Sequence, residues 1–344
     1  MFSYHFNHAI KRILLSVLLI VSPLVHSKTI EDAKGNTIDI PDQVTRIAGL
    51  WHANNQIILL LGGADKLVAT TTVIQKHPWF NQVYPRIKTV PALTNGQTIQ
   101  MEELLQQRPD VALISSSSMQ EELTKAGIKP VMVMFQDFEG LKKTVQITAN
   151  VIGDNAPQIA KQYIQELEDN IAFVEKRTQS LAEKEKPVVL HIANSNNLLK
   201  VDGGKSIIGD WITKAGGRNA LPEQANLVEV SMEAILKANP DVIIIGSANA
   251  ADGIKKIHSD PVWQNISAVK QQRVYVNPMG TFPWDRYSAE EALQVLWAAQ
   301  KFHPTLFQDL DMIEKTQNFY KKYYHYDLSK ENAQQILHGL DPLP

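Results

Sequence analysis

One pattern of apolar and polar positions occurs twice in this chain. Met101-Glu102-Glu103-Leu104-Leu105-Gln106-Gln107-Arg108-Pro109-Asp110 leads into the apolar run Val111-Ala112-Leu113-Ile114. Met232-Glu233-Ala234-Ile235-Leu236-Lys237-Ala238-Asn239-Pro240-Asp241 leads into Val242-Ile243-Ile244-Ile245. Glu102 and Glu233 hold the same place in the two copies, 131 positions apart. Each copy predicts a helix, a Pro-Asp corner and a strand. The proline bars helix continuation and pushes the residue before it toward extended geometry. Unbroken apolar runs are expected of strands covered on both faces in a parallel sheet. A polar run follows each strand, Ser115 to Ser118 and Gly246 to Asn249. In open α/β sheets ligands bind beyond the carboxyl ends of the strands. The duplication therefore predicts an α/β protein of two α/β lobes, each offering a polar loop to a shared cleft.

The other elements fit around the repeat. Residues 30–40 alternate around Lys34-Gly35-Asn36 and predict a β-hairpin. Arg46 to Leu50 reads as a strand, Trp51 to Asn55 as a loop, and Gln56 to Leu61 as a short helix stopped by Gly62-Gly63. Leu67 to Thr70 is a strand opening a long polar loop, Thr71 to Thr98, and Pro130 to Met134 is another strand. This N-terminal lobe spans 28–140. Linking helices follow over 141–186. Leu141 to Ile152 forms one, and a second starts at Asp154-Asn155 with Pro157 in its first turn. Ile159, Tyr163, Leu167, Ile171, Val174, Thr178 and Leu181 keep helical spacing, so the second helix extends to about Glu185, roughly 30 residues or ~45 Å. The C-terminal lobe, 187–325, begins with the strand Val188 to Ile192. Gly203-Gly204-Lys205-Ser206 is a turn and helix cap, since a phosphate loop would need its first glycine at Lys200. Arg273 to Val276 is a strand, Asn277 to Arg286 a loop, and Ser288 caps a helix running to Phe302. Residues 326–344 are a packed tail.

Composition narrows the class. A length of 344 residues suits two domains, and a formal charge of −2 provides no basic field for nucleic acid. The absence of cysteine excludes disulfides, thiolate metal sites, iron–sulfur clusters and a lipid-modified cysteine. Residues 1–27 read as a signal peptide: Lys11-Arg12 flank an apolar run from Ile13 to Val25, and Val25-His26-Ser27 suits cleavage. That run is shorter than the ~20 residues needed to span a bilayer. The expectation is an exported, periplasmic protein that is neither membrane-embedded nor lipid-anchored.

Candidate binding residues cluster in the predicted cleft loops. His52 and His77 lie there, whereas His191 and His303 fall elsewhere and no metal-binding histidine spacing occurs. Ser115 and Ser116 offer hydroxyl donors. Trp51, Trp79, Phe282, Trp284 and Tyr287 fall in loops rather than on apolar stripes, which suits a chelate or ring-like ligand. Arg286 is the one cation of the last cleft loop. No nucleophile elbow, cysteine nucleophile or dinucleotide fingerprint is present, so a periplasmic cleft enzyme is only an outside alternative.

Further stretches carry a resemblance. Arg46-Ile47 leading to Leu61-Gly62-Gly63-Ala64-Asp65-Lys66-Leu67-Val68, the two Glu-to-Pro-Asp blocks, Ala215-Gly216-Gly217-Arg218-Asn219, and Trp284-Asp285-Arg286 followed by Leu296-Trp297-Ala298-Ala299 and His303-Pro304 occur in order over about residues 28–325. In this order they resemble the substrate-binding proteins of ABC importers for iron–siderophores, haem, vitamin B12 and, in a minority, molybdate or tungstate. The resemblance implies two lobes joined by one long helix, a monomer, and delivery to an inner-membrane ABC permease dimer. It also implies that Glu102 and Glu233 pair with arginines on that permease. With five cleft aromatics against one arginine, the expected ligand is a metal chelate, an iron–siderophore first; an oxyanion is the alternative.

Overall fold

The computed structural model describes residues 27–246 and 250–343. The expected signal peptide up to residue 26 and Ser247-Ala248-Asn249 of the second polar run lie outside the described residues.

The chain opens with the hairpin β1 (Ser27–Glu31) and β2 (Thr37–Pro41). Buried Asp32 holds its turn by accepting from the Lys34 and Asn36 amides at 2.8 and 2.9 Å. Gly35 supplies the left-handed residue, φ +83°. The first lobe then runs β3 (Ile47–Gly49), α1 (His52–Leu60), β4 (Leu67–Thr71), α2 (Thr72–Gln75), α3 (Pro78–Val83), β5 (Ala92–Thr94), α4 (Met101–Gln107), β6 (Val111–Ile114), α5 (Ser117–Lys125) and β7 (Pro130–Met132). Its five strands pair in the order β5-β4-β3-β6-β7, all parallel. Helix α1 starts at His52, earlier than the apolar pattern predicts. Asn54, Asn55 and Gln56 interrupt that pattern yet are fully buried and hydrogen-bonded inside. The expected polar loop 71–98 is also largely ordered. Thr71 Oγ1 and His77 Nδ1 accept amide hydrogen bonds that start α2 and α3, and β5 adds an edge strand.

Two helices lead out of this lobe, α6 (Phe138–Ile152) and α7 (Ala156–Thr178). Ala156, Ala160, Tyr163, Leu167, Asn170, Val174 and Thr178 form the buried stripe of α7. It ends at Thr178 rather than near Glu185. There Thr178 Oγ1 turns back to the Val174 carbonyl at 3.1 Å, and a 3-10 turn at Glu183–Glu185 feeds the next strand. At 23 residues it is about 35 Å long.

The second lobe runs β8 (Val188–Ile192), β9 (Lys200–Asp202), α8 (Ile207–Lys214), β10 (Arg218–Asn219), β11 (Val228–Glu229), α9 (Met232–Ala238), β12 (Val242–Ile245), α10 (Ala250–Ser259), α11 (Ser267–Lys270), β13 (Val274–Val276) and α12 (Glu291–Phe302). Strands β8, β12 and β13 are parallel neighbours, matching β3, β6 and β7 of the first lobe. Short antiparallel β9 and β11 extend the β8 edge, and β10 pairs with the start of β8. Helix α12 begins at Glu291, three residues later than predicted. Its leading glutamates are fully buried, and Ser288 Oγ accepts from the Glu290 amide instead of capping the first turn.

The duplicated unit is as alike in three dimensions as in sequence. Arg108 and Asn239 close α4 and α9 in the left-handed conformation, φ 46° and 41°. The residue before each proline thus leaves the helix through this region rather than the extended one. Asp110 Oδ2 accepts from the Thr45 and Arg46 amides before β3, and Asp241 Oδ2 accepts from Val188 at the start of β8, all at 2.8–2.9 Å. Each Pro-Asp corner therefore clamps the neighbouring strand of its own lobe.

The fold is two α/β lobes joined through α7, with the ligand cleft between them where the parallel strands of each sheet end. A continuous core runs from one lobe into the other through α1, α6, α7 and α12, while a separate cluster covers the outer side of each sheet. The C-terminal segment, α13 (Met312–Tyr324) and α14 (Lys330–Leu337), straps both lobes. Trp79 Nε1 donates to the Leu340 carbonyl at 2.8 Å, and the Met279 amide donates to Ile336 at 3.0 Å.

Candidate functional site

The strand-to-helix turn after β3 sets one wall of the cleft. Asn55 Nδ2 donates to the carbonyls of Gly49 and Trp51, both at 2.9 Å, and Asn55 Oδ1 accepts from Thr70. A Cβ on residue 49 would stand 2.6 Å from Asn55 Oδ1, so only glycine permits this lock. It fixes Trp51 and His52 at the mouth of α1. Trp51 packs with Phe135, which follows β7, and with Tyr287 from the other lobe. The three ring centroids lie 5.6–5.7 Å apart, tilted or edge-on.

Arg286 and Tyr287 form the opposite wall. Tyr287 adopts φ +56°, a conformation uncommon for a bulky side chain and worth a functional explanation. Its hydroxyl accepts from Asn226 Nδ2 at 2.9 Å and faces Gln136 Oε1 at 3.4 Å. Arg286 donates to Asn226 Oδ1 at 2.5 Å and to Asp202 Oδ2 at 2.6 Å. Beneath it, fully buried His191 bonds Asp202 through Nδ1 and Asp285 through Nε2, both at 2.8 Å. Burial disfavours the charged imidazole, but hydrogen bonds to the two carboxylates outweigh it and raise the His191 pKa. Burial also opposes charge on Asp202, yet His191 and Arg286 together hold its carboxyl well below the usual range. The cluster thus sets His191 and Arg286 against Asp202 and Asp285, with the arginine at its cleft end.

His52 is half-buried, and burial lowers its pKa, so the ring is neutral near pH 7. Its Nδ1 is buried without a hydrogen-bond partner, faces the Gly96 turn after β5, and the ring lies 5.7 Å from Phe282. Ser115 is half-buried at the carboxyl end of β6; Ser116 Oγ caps α5 by accepting from Met119 at 3.4 Å.

Other expected site residues lie elsewhere. Trp79 and Trp284 are 0% exposed and belong to the core, which corrects their reading as loop aromatics of the cleft. Trp79 sits in α3 against the C-terminal segment, and Trp284 Nε1 donates to buried Glu290. His77 is a helix cap whose pKa burial pushes down to about 4. His303 Nε2 bonds the Gly216 carbonyl at 2.8 Å. Glu102 and Glu233 are exposed on α4 and α9, helices that start on the side where the strands end and the cleft opens. Asp202, Asn226, Phe135 and Gln136 went unread from sequence.

A network independent of the linker ties the lobes. Gln56 Nε2 donates to Thr281 Oγ1 at 3.1 Å, and Gln56 Oε1 accepts from the Ala289 amide at 2.7 Å, all fully buried.

This architecture is that of a bilobed solute receptor. A family model for periplasmic binding proteins matches residues 47–279, and the chain belongs to that family. It is similar to an uncharacterized ABC transporter substrate-binding lipoprotein of Bacillus subtilis, YvrC, 25% identical over 72% of this chain and 77% of the relative. The molybdate-binding protein MolA of Haemophilus influenzae is 24% identical over 89% of this chain and 93% of its own. Its molybdate-bound structure superposes with a TM-score of 0.79 at 22% identity, covering 88% of this chain and 99% of that one. A periplasmic solute-binding protein of Veillonella parvula gives 0.78 at 26% identity, covering 91% and 97%. These relatives are transport receptors, and the chain is a substrate-binding protein of the ABC type. No helix among the described residues is long and apolar enough to cross a membrane.

Proposed function

We propose that this periplasmic receptor carries a small oxyanion of the molybdate or tungstate type to an inner-membrane ABC permease dimer. The observation that carries the reading is the Arg286 clamp. Two of the five guanidinium donors are committed to Asn226 and Asp202. The others, on a rigid and permanently charged group, suit a tetrahedral oxyanion. The Tyr287 hydroxyl, which shares Asn226 with Arg286, supplies a further polar contact. The large-chelate reading needs ring surface, and four of its five aromatics, Trp51, Trp79, Phe282 and Trp284, are in the core. Trp51, Phe135 and Tyr287 largely pack on one another. The similarity to MolA over most of both chains supports the same choice.

The test is a calorimetric titration of wild type and Arg286→Gln against molybdate, tungstate and a panel of ferric siderophores. Hydrogen bonds to charged groups contribute ~1.5–3 kcal/mol, so the variant should lose about tenfold or more in oxyanion affinity. Tight binding of a ferric siderophore with no oxyanion binding would refute the reading. The Trp51–Phe135–Tyr287 wall would then be the recognition surface.

A further inference from the structure

The duplicated helix–strand unit carries a second matched pair. Leu105 is 46% exposed and Leu236 is 38% exposed, although most large apolar side chains are buried. Each stands three residues after its lobe's glutamate, Glu102 or Glu233. Residues three apart are neighbours on one helix face. The adjoining Leu104 and Ile235 are fully buried, so each helix buries one apolar side chain and presents the next. A single exposed leucine needs no explanation. Two at the same position of a duplicated unit, each beside an exposed glutamate, form a pattern. The matched Pro-Asp clamps and left-handed closures hold both helices in the same setting on their sheets. Both start on the side where the cleft opens.

We propose that Leu105 and Leu236 are the apolar half of a paired docking surface. Each would seat beside its glutamate in one of two equivalent sockets on a two-fold-symmetric importer, basic at the rim and apolar at the floor. The proposal rests on the transport reading above. One chain presenting the same Glu–Leu pair on each of two lobes matches a partner that carries a site twice. The exposed acids select a basic rim, which sets register and speeds encounter. The leucines lose water on seating, which slows departure. The two contributions differ in salt response, because only charge is screened.

The experiment measures binding of the ligand-free protein to its cognate importer in lipid nanodiscs, at low and high salt, with ATPase stimulation as a second readout. Leu105→Ser and Leu236→Ser should each weaken binding about tenfold through faster dissociation, persisting at high salt. Leu105→Met should bind as wild type, and so should Val262→Ser, which alters an equally exposed apolar residue outside the repeat. Melting temperatures should be unchanged. Leucine variants that bind like wild type while Glu102→Gln and Glu233→Gln weaken binding would overturn the leucine proposal and leave the transport reading intact. A loss confined to one leucine would overturn the pairing. A wild-type protein that neither binds nor stimulates the importer would overturn both.

Discussion

Asp202→Asn removes one charge from a buried cluster while keeping the side chain's shape. Asp202 Oδ2 accepts from His191 and Arg286, and Oδ1 accepts from the Leu227 amide at 2.9 Å. The asparagine supplies no charge, so Arg286 loses its ion-pair partner and His191 keeps only its hydrogen bond to Asp285. Breaking a buried ion network by neutralising one member costs about 3–5 kcal/mol. That is a large part of the ~5–15 kcal/mol that keeps a protein folded, so the variant should fold but melt several degrees lower. The pH dependence gives a second signature. The folded pKa of His191 is raised, so its contribution is fully present below the unfolded value of about 6.5 and is lost as pH rises through the folded value. The folded pKa of Asp202 is depressed, so its contribution is present above the unfolded value of about 3.9 and is lost as pH falls through the folded value. In the variant His191 keeps one carboxylate instead of two and releases its proton at lower pH. The alkaline decline in stability should therefore begin earlier than in wild type. Urea unfolding followed by circular dichroism, from about pH 4 to about pH 9, reads both effects. A variant within about 1 kcal/mol of wild type at pH 7, with an unmoved alkaline limb, would refute the cluster's charge assignment.

Two further outcomes are expected. Gln56 and α7 tie the lobes at separate places, so small-angle scattering should show the radius of gyration changing by less than about 1 Å when molybdate saturates the protein; a large contraction would contradict the interlobe network. His77 has its folded pKa lowered to about 4, so between about pH 6.5 and that value the unfolded chain binds the extra proton and stability falls with falling pH. His77→Gln should flatten that acid decline in a urea series, and an unchanged slope would show that His77 is not the group responsible.

The repeat and the parallel sheets were legible because Val-Ala-Leu-Ile and Val-Ile-Ile-Ile leave little choice but doubly covered strands. The hairpin was equally plain, since Gly35 marks its turn. Trp79 and Trp284 were misplaced for a physical reason. They sit among prolines without a repeating apolar stripe, and the partner of Trp79, Leu340, lies 261 positions away. Nothing local announces such a seat. The clamp on Arg286 was hidden differently. Asp202 ends a three-residue strand, and Asn226 precedes a left-handed Leu227, segments too short to show a period. His191 looked isolated because its two carboxylates come from β9 and from the loop before α12. Arg286 itself stands out in the sequence as the one cation in its loop.

We propose above that the cleft carries a small oxyanion held by Arg286. The most direct test is elemental analysis with native mass spectrometry of the protein taken from the periplasm of cells grown with molybdate and iron both supplied, without unfolding. About one molybdenum or tungsten per chain is expected in wild type, with an added mass equal to the bare oxyanion and a clearly lower occupancy in Arg286→Gln. Iron accompanied by the mass of an organic chelator, retained equally by wild type and variant, would contradict it.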